Sequence, residues 1–154
     1  MRVKTKIHAI AGSLALCLIA SFWVATLGAE SFGSAETVIQ VKLWVLYGIG
    51  LLIPCIIMAG ATGVSFKQAR AQHKLKRMPL IAMNGIFVLI PCAYFLYTKA
   101  FAGEFDAVFW LVQAVELVAG VVNITLLGLN LRDGLRLTRK SAFVSTAYKK
   151  NEAV

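Results

Sequence analysis

The chain has 154 residues, is 59% hydrophobic and only 15% charged, and carries a formal net charge of +9; its mean hydropathy is +0.76. Soluble domains carry about a quarter charged residues, so this composition argues against a water-soluble fold and leaves a single small membrane domain. The positive charge does not point to nucleic acid, because the basic residues flank apolar runs instead of coating a surface.

Arg2, Lys4 and Lys6 precede an uncharged run over 7–29. A basic start before an apolar run also marks a signal peptide, but this run exceeds the usual apolar core of about 7–15 residues. It therefore reads as a first transmembrane helix. Residues 30–37, with two acids, a glycine and serines, read as a turn. A second span covers 43–66, long enough to cross a bilayer with some tilt. The 67–77 loop gathers Lys67, Arg70, Lys74, Lys76 and Arg77 around His73. It looks like a surface for anionic lipid headgroups or an acidic partner. A third span follows over 78–98, then a short acidic connection with Glu104 and Asp106, then a fourth span over 107–131. The basic tail, 132–154, continues the last helix and places Arg132, Arg136, Arg139 and Lys140 on one face.

The predicted fold is therefore all-α: an integral membrane protein forming an up-down bundle of four transmembrane helices. The short connections make helices 1–2 and 3–4 antiparallel neighbours. The N-terminal segment, the 67–77 loop and the tail hold 14 of the 16 Lys and Arg, whereas the two opposite connections hold four of the seven acids. By the positive-inside rule both termini are cytoplasmic, and in a bacterial cell the membrane is the inner one. Trp23, Trp44, Tyr47, Tyr94, Tyr97 and Trp110 fall in the outer halves of their helices, as an interfacial belt does.

Spans 2 and 3 share a local echo, GIGLLIPC at 48–55 and GIFVLIPC at 85–92, identical at six of eight positions. It is either the vestige of an inverted repeat or coincidence in an apolar alphabet. Each proline frees the carbonyl four residues back, that of Gly50 or Phe87, and gives the helix a place to splay. Cys17, Cys55 and Cys92 lie inside apolar runs without a CxxC spacing and read as small buried hydrophobes.

The fourth span carries a polar stripe: Gln113, Glu116, Gly120, Asn123, Leu127 and Asn130, spaced 3, 4, 3, 4, 3. That rhythm follows one helix face. A carboxylate and three amides facing lipid are costly, so the stripe should face protein. Glu116 reads as the only charged residue in the interior of a span, with no base at its depth. It is either a proton or cation site or a structural acid that fixes register, with Gln113, Thr26 and Ser21 as neighbours. Asn123 and Asn130, with Asn84 and Ser13, would line a polar pocket toward the cytoplasm or simply join helices.

His8 opens helix 1 at the cytoplasmic edge with small residues one turn on. Histidine is the usual axial ligand of haem b, and Met58, Met83 or a second copy's His8 could fill the other axial position, with Asn84 beside it. The basic loop and tail would hold the propionates. The chain lacks phosphate-loop, metalloprotease, triad and dinucleotide patterns. Three classes remain: a haem b electron-transfer protein, alone as a homo-oligomer or within a larger respiratory membrane complex; a proton-linked carrier or channel using Glu116; and a non-catalytic membrane subunit.

Overall fold

The computed structural model describes residues 2–64 and 72–151, with side chains over 6–62 and 77–136. The described chain is helical, with no strand: α1 (Arg2–Phe32), α2 (Ala35–Val64), α3 (Gln72–Asn84), a π-helical turn (Gly85–Leu89), α4 (Ile90–Phe101) and α5 (Ala107–Asn151). Here α3, the π turn and α4 run on as a single span. Four helices are long and apolar enough to cross a membrane: Lys6–Phe32, Ala35–Thr62, Arg77–Phe101 and Ala107–Arg136.

The helices begin and end later or earlier than charge alone suggests. The predicted turn over 30–37 contracts to Gly33 and Ser34, so Glu30 lies in the last turn of α1 and Lys42 lies inside α2. Ser34 stops the chain from running straight on: its Oγ accepts the Thr37 amide at 3.3 Å, a cap for the first turn of α2. The other short connection is equally well defined. The Glu104 amide reaches the Lys99 carbonyl and the Gly103 amide the Ala100 carbonyl, both at 2.9 Å, closing α4 as a Schellman motif. Gly103 supplies the left-handed φ of 73° that the motif requires. Asp106 then caps α5, its Oδ1 accepting the Phe109 amide at 2.9 Å.

These two tight connections define the turn end of the bundle. Packing closes the helices into a ring: α1 lies against α2 and α5, and the third span lies against α2 and α5. Near the turn end the core is Ala29, Val38, Leu96, Ala100 and Phe109. At mid-height it is Ala15, Ile19, Leu52 and Cys55, with Phe22, Ile124 and Leu127 packed against them. The outward faces are apolar as well, with Ile10, Val24, Trp44, Ile57, Phe87, Leu111 and Val118 exposed. Large apolar residues all round the molecule are what a hydrocarbon solvent selects. Cys55 is buried, but Cys17 is exposed and Cys92 half-buried, so only Cys55 fills a core position.

The two echo segments differ in backbone. Pro54 sits inside the regular helix α2, whereas the segment before Pro91 widens into the π turn, in which the Ile90 amide bonds to the Gly85 carbonyl. A π turn is one way a helix can accommodate a proline's lost bond without breaking.

Candidate functional site

The polar stripe of α5 lies on the inward side of its helix. Gln113, Gly120, Asn123 and Asn130 are buried, and Glu116 and Leu127 are half-buried. At the turn end the stripe meets Lys42, which lies one residue before the predicted second span over 43–66. Lys42 is 1% exposed. Its Nζ donates to Glu116 Oε2 at 2.9 Å and to Gln113 Oε1. It also lies 3.2 Å from Glu30 Oε1, an ion contact rather than an aligned hydrogen bond. Gln113 Nε2 in turn donates to Glu116 Oε2 at 3.2 Å. The expectation that no base shares the depth of Glu116 is therefore corrected: α2 starts early enough to bring Lys42 across from it.

The signal for this was present in α2. Val38, Lys42, Val45, Ile49, Leu52, Ile56 and Ala59 repeat with the same alternating three and four spacing as the α5 stripe, and Val38, Lys42, Val45, Leu52 and Ala59 are buried. The stem of Lys42 follows this stripe while its ammonium meets the two acids.

Glu116 borders a cavity of about 50 Å³ between α1, α2, the third span and α5, lined also by Thr26, Trp23 and Gly120. A water needs about 10–15 Å³ of such space, so the cavity has the volume of a few molecules, with Glu116 and Thr26 as the polar groups in an otherwise apolar lining. Thr26 is buried there, whereas Ser21, the other expected neighbour, is exposed. Trp23 lines the cavity from α1. Its indole N–H donates to the Leu117 carbonyl at 3.0 Å, and its ring fills the notch left by Gly120, where a Cβ would come within 2.9 Å of the Trp23 ring. Trp23 is thus an inward-facing residue and not a member of an interfacial belt.

Further along the stripe, Asn84 Nδ2 donates to the Ala119 carbonyl at 2.9 Å and to Asn123 Oδ1 at 3.0 Å. This ties α5 to the last residue before the π turn. Asn130 lies beyond, at a second cavity of about 170 Å³ that also touches His8, Ser13, Met78 and Ile81. The structure thus brings Ser13 and Asn130 together, while Asn84 and Asn123 form a separate pair.

His8 donates from Nδ1 to the Ala59 carbonyl at 2.9 Å, with Thr62 Oγ1 at 3.4 Å. Met58 and Met83 do not border its cavity; they are 49% and 58% exposed, on outward faces. An apolar cavity of about 150 Å³ accepts a single benzene ring, so this one is too small for a porphyrin. One copy of the chain does not offer His8 the enclosed axial pair that haem b requires. Among the described residues no cluster of three His, Cys, Asp or Glu could hold a metal ion.

Of the expected basic surface, Arg77 is described, and its Nη1 donates to Asp133 Oδ2 at 2.9 Å. Lys67 and Arg70, and the side chains of Lys74, Lys76, Arg139 and Lys140, lie outside the described residues. The connection before α5 holds a smaller ionic group, in which Lys99 Nζ donates at 2.7 Å to both Glu104 Oε2 and Asp106 Oδ2. Lys99 and the Phe109 amide hold the Asp106 carboxyl below the usual carboxylate range.

Comparison of the chain with protein-family models, curated proteins and solved structures gave no match.

Proposed function

We propose that this protein lies in a membrane with both termini on the cytoplasmic side and carries protons, or a cation in their place, through a site built on Glu116. The observation that carries this reading is the position of Lys42, 1% exposed and between two carboxylates at 2.9 and 3.2 Å. Fully ionised, Glu30, Lys42 and Glu116 sum to one negative charge. An uncompensated charge in a dry helix bundle is costly, so binding one proton or one monovalent cation brings the group to neutrality. The cavity beside Glu116 provides room for water to deliver it.

Four helices supply a narrow path, and a homo-oligomer or a larger membrane complex would complete it. The test is proton flux in proteoliposomes under an imposed pH gradient. Flux is expected for the parent protein and lost in Glu116→Gln. Unchanged flux in that variant would remove the carboxylate from the mechanism, leaving the cluster as a device that fixes helix register in a non-catalytic membrane subunit.

A further inference from the structure

A proton and a metal ion are not interchangeable at the Glu116 site, because a cation built into the chain already stands there. The Lys42 ammonium donates to Glu116 Oε2 and to Gln113 Oε1, and Glu30 Oε1 lies 3.2 Å from it. Two acids and an amide from α1 and α5 thus surround one base from α2, and the Cys92 thiol on the third span lies within the field of Lys42 and Glu116. We propose that Lys42 is the selectivity residue of this site: its ammonium fills the place of a metal cation, so the exchangeable ion is the proton. The proposal rests on the reading of Glu116 as an ion site and narrows it to one ion.

Three observations carry it. The first is the set of oxygens. A hard metal cation exchanges its water for a shell of oxygen ligands. The oxygens gathered here would begin such a shell, and all three surround Lys42 Nζ. A metal ion among them would stand against a like charge. The second is that the ammonium is held in place. Lys42 is almost fully buried, on the same face of α2 as the buried Val38 and Val45. Its departure would leave two buried carboxylates without their base. The third is the free oxygen of Glu116. Lys42 and Gln113 both donate to Oε2, at 2.9 and 3.2 Å, and among the described residues no hydrogen bond reaches Oε1. That oxygen keeps some accessible surface, because the enclosed unpaired atoms of the described residues are Glu30 Oε1, Asn123 Nδ2 and Asn130 Oδ1. Its residue borders the cavity.

A proton needs one lone pair, and Oε1 offers it without disturbing the ammonium. Protonated there, Glu116 still accepts from Lys42 through Oε2, and the group of two acids and one base becomes neutral. A metal ion in the cavity itself would meet Glu116 and Thr26 in an otherwise apolar lining, too few oxygens to replace its water. Removing the ammonium reverses this preference, because it releases the surrounding oxygens to a cation from solution.

The test is thermal unfolding of the full chain in mixed micelles, in sodium, potassium or choline chloride at equal ionic strength. The parent is expected to unfold at the same temperature in all three. Lys42→Ala leaves the oxygens and room for an ion, and is expected to unfold at least about 3 °C higher in sodium or potassium than in choline. Lys42→Ala with Glu30→Gln keeps the parent's single net negative charge at the site and is expected to show the same dependence; it decides the matter where the single variant does not fold. Adding Glu116→Gln to that pair is expected to abolish the dependence. In proteoliposomes, uptake of radioactive sodium by the parent is expected to match that of empty liposomes. These shifts in a parent without proton flux would remove the carrier reading and keep Lys42 as the resident cation. Three outcomes would overturn the assignment: a parent stabilised by sodium or potassium over choline, sodium uptake by the parent, or a Lys42→Ala, Glu30→Gln protein that is indifferent to the cation or folds in none of the three salts.

Discussion

Lys42 Nζ and Glu116 Oε2 lie 2.9 Å apart although 74 residues separate them in the chain. The pair locks α2 to α5, and the second acid, Glu30, adds α1 to the same contact. Removing the base leaves two buried carboxylates facing each other. Lys42→Met is therefore expected to destabilise the protein by about 3–5 kcal/mol, the usual cost of breaking a buried ion pair on one side. Adding Glu30→Gln and Glu116→Gln to it should restore most of that loss. Unfolding of the purified protein, followed by helical circular dichroism in mixed micelles, measures both. A Lys42→Met protein as stable as the parent would show that the ammonium is not holding the helices together.

Trp23 and Gly120 make a lock of a different kind, in which shape replaces charge. Gly120→Leu places a Cβ within 2.9 Å of the Trp23 ring, so one of the two must shift, and is expected to cost about 1–3 kcal/mol. Trp23→Ala in the same chain opens space for the new leucine, so the double variant should be less destabilised than the two single losses added together. A double-mutant cycle read by thermal unfolding decides this. Strict additivity would mean that the two positions do not touch in the folded protein.

Asn84 and Asn123 share one hydrogen bond, and Asn84 makes another to the α5 backbone. Asn84→Leu should cost about 1–2 kcal/mol because it leaves the Asn123 oxygen buried and unpaired. Asn84→Leu with Asn123→Leu should cost less than Asn84→Leu alone, since no orphaned amide remains. Equal losses in the single and double variants would assign the cost to packing and not to the amide.

The connection before α5 should respond to acid. The folded carboxyl of Asp106 is held low by Lys99 and by the Phe109 amide. A depressed folded pKa means that the stabilisation is complete above the unfolded value, about pH 4, and fades as pH falls through the folded one. Hydrogen exchange at the start of α5 should therefore accelerate as pH drops below about 4, beyond the intrinsic pH dependence of exchange. In Asp106→Asn that added acceleration should be absent.

The four helices long and apolar enough to cross a membrane were legible as long uncharged runs, and the α5 stripe was legible because a helix repeats every 3.6 residues. Lys42 was not, although its position obeys the same rhythm in α2. A lysine next to an apolar run is ordinarily a marker of where the run ends, and the acids that hold this one inside lie on two other helices. Trp23 failed for a related reason. An aromatic residue at that height usually meets the interface, and only the notch at Gly120 on another helix shows why this one turns inward. Pro91 announced a lost hydrogen bond but not the remedy, which here is the wider turn over Gly85–Leu89. His8 borders a cavity whose dimensions are a property of four helices at once, which no single stretch of sequence carries.

The final helix, Ala107–Asn151, has 45 residues, which at about 1.5 Å each makes a rod of roughly 68 Å. The fatty interior of a bilayer is only about 30 Å deep. In the membrane placement proposed above, tilting does not accommodate that length, and the far third, beyond the span Ala107–Arg136, stands clear of the lipid like a mast. Molecules approaching from that compartment would meet the mast before they meet the bundle, while the opposite compartment is offered only two tight bends.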